Sequence, residues 1–189
     1  MKAPVGEVRP SQLLWTYGPG ALIDLPNLSV VTMGLDQWTV ADCRTIDEKR
    51  LLAAVRKMLG PQVDHLRMPP VIEDQDADPY SPAGMTGVPV KPFPRWLRCV
   101  KCGLLAEFDS GLFKLKEDRY RPENNHFEHE NCPKGRKADA VPARFLLACR
   151  NGHLDDFPWH WFVHSGPTTC KGNRSEEHTS ELQSLSHLV

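Results

Sequence analysis

The sequence predicts a loop-rich α+β fold with short strands, few helices and a zinc-knuckle or ribbon-like subdomain. Three observations predict it. Seventeen prolines among 189 residues leave little room for long helices. The clearest helical period in the chain lies at residues 47–59. Cys99-x2-Cys102-Gly103 follows a short apolar segment, as in a knuckle at the end of a hairpin.

Taken in order, Ser11 is placed to cap a short helix holding Leu13, Leu14 and Trp15. Gly18-Pro19-Gly20 then breaks it. With Ala21 this is a tight turn and not a phosphate loop, because the Gly-Lys-Ser or Gly-Lys-Thr ending that reaches a phosphate is missing. Residues 28–33 are β-branched and apolar, the signature of a strand. Asp47 can cap the main helix, where Leu51, Leu52, Val55, Met58 and Leu59 share a face, and Gly60-Pro61 ends it.

The chain divides into an amino-terminal α+β segment (1–65), a Pro-rich acidic connector (66–92), a knuckle region (93–173) and a tail (174–189). The acids Glu73, Asp74, Asp76 and Asp78 read as a solvated loop and not as a cation site. Within the third region Trp96-Leu97-Arg98 leads into Cys99, residues 141–148 read as one buried strand ending at Cys149, and residues 155–164 as one helical turn or more. There is no internal repeat.

Residues 174–184 read Arg-Ser-Glu-Glu-His-Thr-Ser-Glu-Leu-Gln-Ser, which back-translates into a widely used sequencing adapter, and residues 185–189 continue it. The tail is expected to be an artefact outside fold reasoning. The authentic sequence is then expected to run to about Asn173 and to be a fragment of a longer protein.

The formal net charge is −1, and without the tail's Arg174, Glu176, Glu177 and Glu181 it becomes +1. Neither value points to a nucleic-acid-binding surface. The start lacks the apolar core of a secretory signal, and no run is long enough to span a bilayer. A cytoplasmic location is expected, where a CxxC pair favours metal over a disulfide.

Two thiolates separated by two residues can chelate one tetrahedral ion, and His129-x2-Cys132 supplies the same spacing with one imidazole. The expected ligand set is Cys99, Cys102, His129 and Cys132, holding structural zinc. Rivals for the fourth place are His126, Cys149 and His153, and Cys149-x3-His153 is itself a plausible ligand pair. Four protein ligands would close the site, so its role would be folding and not catalysis. Cys43 and Cys170 read as small buried hydrophobes.

Residues 152–159, Gly-His-Leu-Asp-Asp-Phe-Pro-Trp, are the densest cluster of chemically able side chains. In the packing reading, Asp155 or Asp156 caps a short helix begun near Pro158, Trp159, Trp161 and Phe162 enter the core, and the histidines bond to backbone. In the rival reading a hydrolytic metal centre uses His153, Asp155, Asp156, His160 or His164. No nucleophile, second metal motif or cofactor fingerprint supports it. A direct DNA-binding module would draw on Lys101, Lys114, Lys116, Lys134, Arg136 and Lys137, although interspersed acids favour a solvated surface.

Several uncommon strings recur together in order. They are Arg9-Pro10-Ser11-Gln12-Leu13-Leu14, the stretch from Gly18 to Pro26, Arg95-Trp96-Leu97-Arg98-Cys99 with Cys102, Asn131-Cys132-Pro133-Lys134, Pro142-Ala143-Arg144-Phe145, and the segment from Gly152 to Trp159. Together they resemble the DrmB family of DISARM, a bacterial defence system against phage. The resemblance implies an accessory, non-motor and non-catalytic subunit that works beside a DrmA-like helicase in a DNA-sensing complex. It implies DNA contact that is indirect or shared with that partner, no small-molecule substrate and no membrane. Members are longer than this chain, and their helicase-associated domain is expected mostly beyond these residues. One departure is that the second metal half here is His129-x2-Cys132 and not a second CxxC.

Overall fold

The computed structural model describes residues 8–72 and 78–167. Glu73, Asp74, Asp76, Cys170 and the tail from residue 174 lie outside the described residues. The elements run α1 (Pro10–Trp15), β1 (Leu22–Asp24), β2 (Ser29–Thr32), α2 (Lys49–Leu59), α3 (Pro82–Met85), β3 (Val90–Pro92), β4 (Trp96–Cys99), β5 (Leu105–Glu107), β6 (Lys114–Lys116), β7 (His126–His129), β8 (Ala138–Pro142), β9 (Leu146–Ala148), β10 (Leu154–Asp156) and α4 (Trp159–Val163). Short 3-10 turns lie between them. This is the α+β, loop-rich class that the sequence predicts.

The chain forms two compact units. Among the described residues, the first holds Leu22–Val31 and residues 92–167. Its centre is a five-stranded antiparallel sheet of order β5-β4-β8-β7-β6. Alternation fixes its inner face: in β4 Leu97 and Cys99 are buried while Arg98 is exposed, and in β8 Ala138 and Ala140 are buried while Asp139 and Val141 are exposed. Register places Cys99 opposite Ala140 and Ala140 opposite Phe127, so small residues on the middle strand leave room for larger neighbours. Phe113, Leu104, Ala106 and Cys132 complete this core.

A second cluster gathers Leu105, Ala143 and Trp159, with Trp96 and Phe157 packed against it. The expected single strand over 141–148 is broken. Pro142 ends β8, the Ala143 amide donates to the Trp96 carbonyl (2.9 Å), and β9 pairs instead with β10 in a separate hairpin. Pro142 has no N–H to offer a ladder, which is why the run cannot continue as one strand.

The expected helix over 155–164 is likewise shorter, and its start differs. Residues 154–156 are strand, and α4 is capped by Pro158 with no side-chain hydrogen bond. Neither Asp155 nor Asp156 caps it. Only Trp159 of this helix is buried; Trp161 is 57 % exposed and Phe162 41 %, because so short a helix turns just one side inward.

In the second unit (residues 8–21 and 32–91), Arg9 and not Ser11 precedes α1, with the Arg9 amide donating to Gln12 Oε1 (3.0 Å). Glu48 and not Asp47 caps α2, its carboxylate accepting from the Arg50 amide (2.9 Å). The carboxylate is one residue closer than the sequence pattern suggests, where it meets the unpaired first-turn amides. The α2 face carries exposed Leu51, Met58 and Leu59 and half-buried Leu52 and Val55. The stretch read as a connector contains α3, whose first turn is capped by Ser81 Oγ accepting from the Gly84 amide (3.1 Å), and also β3.

Candidate metal centre

Two turns at one end of the sheet build the site. After β4, the Cys99 amide donates to the Leu104 carbonyl (2.8 Å) and the Gly103 amide to the Cys99 carbonyl (3.0 Å), folding the chain round Cys102. Gly103 has φ 80°, a left-handed conformation that glycine adopts without cost. After β7, the Gly135 amide donates to the Cys132 carbonyl (3.2 Å) and shapes the second turn. His129 ends β7, so the two ligand-bearing strands flank β8 with its alanines.

Cys99 Sγ, Cys102 Sγ, His129 and Cys132 Sγ offer ligand atoms that all lie within 4.8 Å of one another. Cys99 Sγ is 3.8 Å from Cys132 Sγ, and Cys102 Sγ is 3.5 Å from His129 Nδ1. A tetrahedral ion with Zn–S of about 2.3 Å and Zn–N of about 2.0–2.1 Å would set these edges at about 3.8 Å and 3.5–3.6 Å. These two separations match two edges of such a tetrahedron, and the group could hold a metal ion.

Electrostatics point the same way. Burial pushes the Cys99 thiol up, but hydrogen bonds from the Cys102 amide, His129 and the Lys101 amide outweigh it and bring Cys99 down to about 7. Cys102 is pushed up to about 11, first by burial and then by its sulfur neighbours. Thiols this close resist ionising together unless a cation joins them. Phe113 meets the His129 ring edge-on at 5.6 Å and helps fix its orientation.

The rivals for the fourth place sit elsewhere. His126 is 3.9 Å from Asp139, with Nδ1 2.6 Å from the Asn124 carbonyl. Cys149 and His153 pair with each other across the β9–β10 hairpin, Sγ to Nδ1 3.3 Å, and both are exposed. Cys43 is buried, with Sγ 3.5 Å from the Thr39 carbonyl.

The residues of the hydrolytic reading are dispersed in role. Asp156 is buried and accepts from the Arg95 amide (2.8 Å) and from Arg95 Nε (2.6 Å). Its hydrogen bond holds the Arg95 guanidinium above its usual range. Asp155 accepts from the Asp156 amide (2.8 Å), and the His160 and His164 rings lie 4.7 Å apart, tilted by 57°. Sequence reasoning missed the Arg95–Asp156 pair, because the partners are 61 positions apart and no periodicity links them. It also missed a groove of about 730 Å³ bordered by Asp24, Asn27, His126, Asp139 and Arg144, which the unforeseen strand β1 helps to wall.

Fold and site together define an α+β protein whose five-stranded sheet carries, at one end, a Cys3His group that could hold a metal ion. A family model described as "Domain of unknown function (DUF8724)" matches residues 9–188, a span that runs through the tail read as adapter-derived. The chain is also 32 % identical over 170 residues to the DISARM protein DrmB of Bacillus paralicheniformis, which covers 86 % of this chain and 26 % of that protein. The chain belongs to the DrmB family, and the domain of unknown function covers nearly all of it. It spans about a quarter of the length of that curated relative. Among the described residues, no helix is long and apolar enough to cross a membrane.

Proposed function

We propose that the chain serves in bacterial anti-phage defence of the DISARM type, as part of an accessory, non-motor and non-catalytic subunit. The observation that carries the mechanism is the Cys99–Cys102–His129–Cys132 group, with two edges of tetrahedral length and three of its four residues buried. These residues would hold zinc as a structural ion. Zinc supplies a cross-link among short strands, and four protein ligands leave no open position for a substrate. The sheet so fixed, with the aromatic segment around Trp159, would present a surface to a DrmA-like helicase in the cytoplasm, with DNA contacted jointly.

The hydrolase reading has less support. Both Asp156 carboxylate oxygens are taken by Arg95, and His153 faces Cys149.

The test is elemental analysis of the full chain beside its Cys99→Ser variant. One equivalent of zinc in the parent, lost in the variant together with cooperative unfolding, is the expected result. A folded parent without zinc would remove the structural ion. Co-purification with a DrmA-like helicase from the same defence locus tests the scaffold, and a folded, zinc-loaded chain that is not retained would refute that partnership.

A further inference from the structure

The two knuckle turns carry an uneven distribution of charge. Lys114 and Lys116 are neutralised: Lys116 Nζ lies 2.7 Å from Glu130 and 3.6 Å from Glu128, and Lys114 Nζ lies 3.7 Å from Glu130. The cations on the turns are not. Lys101 lies between Cys99 and Cys102, and Lys134, Arg136 and Lys137 follow Cys132. All four are exposed, and among the described residues none of their side chains has an ion pair.

The turns bring these charges together. The Lys101 side chain crosses to the second turn, where a Cβ at Gly135 would come within 3.1 Å of its Nζ. Lys137 has φ 54°, a left-handed conformation uncommon for a non-glycine residue. Such strained positions persist where surrounding structure over-determines them, and they cluster at binding sites. The acids nearest in sequence are Glu130, already held by Lys114 and Lys116, and Asp139, which faces His126 at 3.9 Å.

We infer that Lys101, Lys134, Arg136 and Lys137 form a phosphate-binding rim on the metal knuckles, which takes the backbone of duplex DNA without reading its bases. The inference rests on the metal-knuckle reading, since only fixed turns hold four like charges in one place. Like charges gathered without counter-charges repel, and a polyanion relieves that repulsion while releasing its own counterions. Lysine and arginine contacts to phosphate carry no sequence information, so the contact would be insensitive to sequence.

The test uses the zinc-loaded full chain and a short fluorescein-labelled DNA duplex of random sequence, followed by anisotropy over a range of salt. Four phosphate contacts predict a log–log salt slope of about −3 to −4. The Lys101→Gln, Lys134→Gln, Arg136→Gln, Lys137→Gln variant should bring the slope near zero. Lys114→Gln, at a neutralised position, should leave it unchanged. Should the fourfold variant fail to fold, the pair Lys134→Gln and Arg136→Gln should still halve the slope. A slope untouched by these changes, or cut equally by Lys114→Gln, overturns the rim. So does displacement by DNA that is weaker than displacement by polyglutamate, which would mark an acidic protein surface instead. Zinc content and unfolding measured on the same samples keep the two readings apart: a zinc-loaded, cooperatively folded parent with a flat slope removes the rim alone.

Discussion

At the scale of single residues, Asp156 and Asp155 are adjacent carboxylates with different duties. Asp156 has 5 % of its side chain exposed and receives both an amide and a guanidinium hydrogen bond from Arg95. Asp155 is 76 % exposed and lies 3.9 Å from Arg95 Nη2. A charge-assisted hydrogen bond contributes about 1.5–3 kcal/mol net, and removing Asp156 also takes away the carboxylate that the Arg95 amide donates to. Half of Arg95 is solvated, which screens the ion pair. Asp156→Ala is therefore expected to cost about 2–3 kcal/mol in urea unfolding, and Asp155→Ala less than about 1 kcal/mol. Equal costs would mean that the two carboxylates share the Arg95 contact. The clustering of Cys99, Cys102, His129 and Cys132, by contrast, was legible residue by residue, because two turns that each present a pair of side chains two residues apart impose a local spacing that is visible in the chain. The Arg95–Asp156 pair follows no local rule and only the fold reveals it.

At the scale of elements, the aromatic segment after β10 shows how far burial departs from composition. Trp159, Trp161 and Phe162 look alike in a sequence as core candidates. Trp159 alone is buried, with ring centroids 4.7 Å from Phe157 and 5.9 Å from Phe145. Trp161 faces outward on the same short helix. Truncating a buried Trp costs about 3–5 kcal/mol through lost transfer energy and the cavity left behind. Trp159→Ala should destabilise the protein by that amount, while Trp161→Ala should stay within about 0.5 kcal/mol. Denaturant midpoints followed by far-ultraviolet circular dichroism would decide, and a large loss at Trp161 would mean that another surface covers it. The same limit explains the other misread elements. Periodicity found β2 and α2, but it could not see that Pro142 splits residues 141–148 between two sheets, nor that Glu48 would take the cap from Asp47. Both outcomes depend on which backbone amides lack partners once the tertiary structure has formed.

At the scale of the whole molecule, the question is what holds a sheet made of such short pieces. The strands β4 to β8 are between 3 and 5 residues long. Strands of this length bury few side chains apiece, and an average strand has about 5–6 residues. The two strands that flank β8 end in proposed metal ligands, Cys99 on β4 and His129 on β7, and their turns supply the other two. An ion there would tie β4, β8 and β7 together at one end, at the point where fraying would begin. Because an unfolded chain has no preformed site, its binding free energy appears as folding free energy, about 10–16 kcal/mol for structural zinc peptides near neutral pH. Chelation should therefore open the sheet as a unit. Amide hydrogen exchange should show protection at Leu97, Ala106, Phe127 and Ala140 collapsing together after chelator treatment and returning when zinc is added back. Protection that survives in verified metal-free protein would assign the stability of this unit to the apolar cluster around Leu97, Phe113 and Phe127, and would make the thiols part of that core.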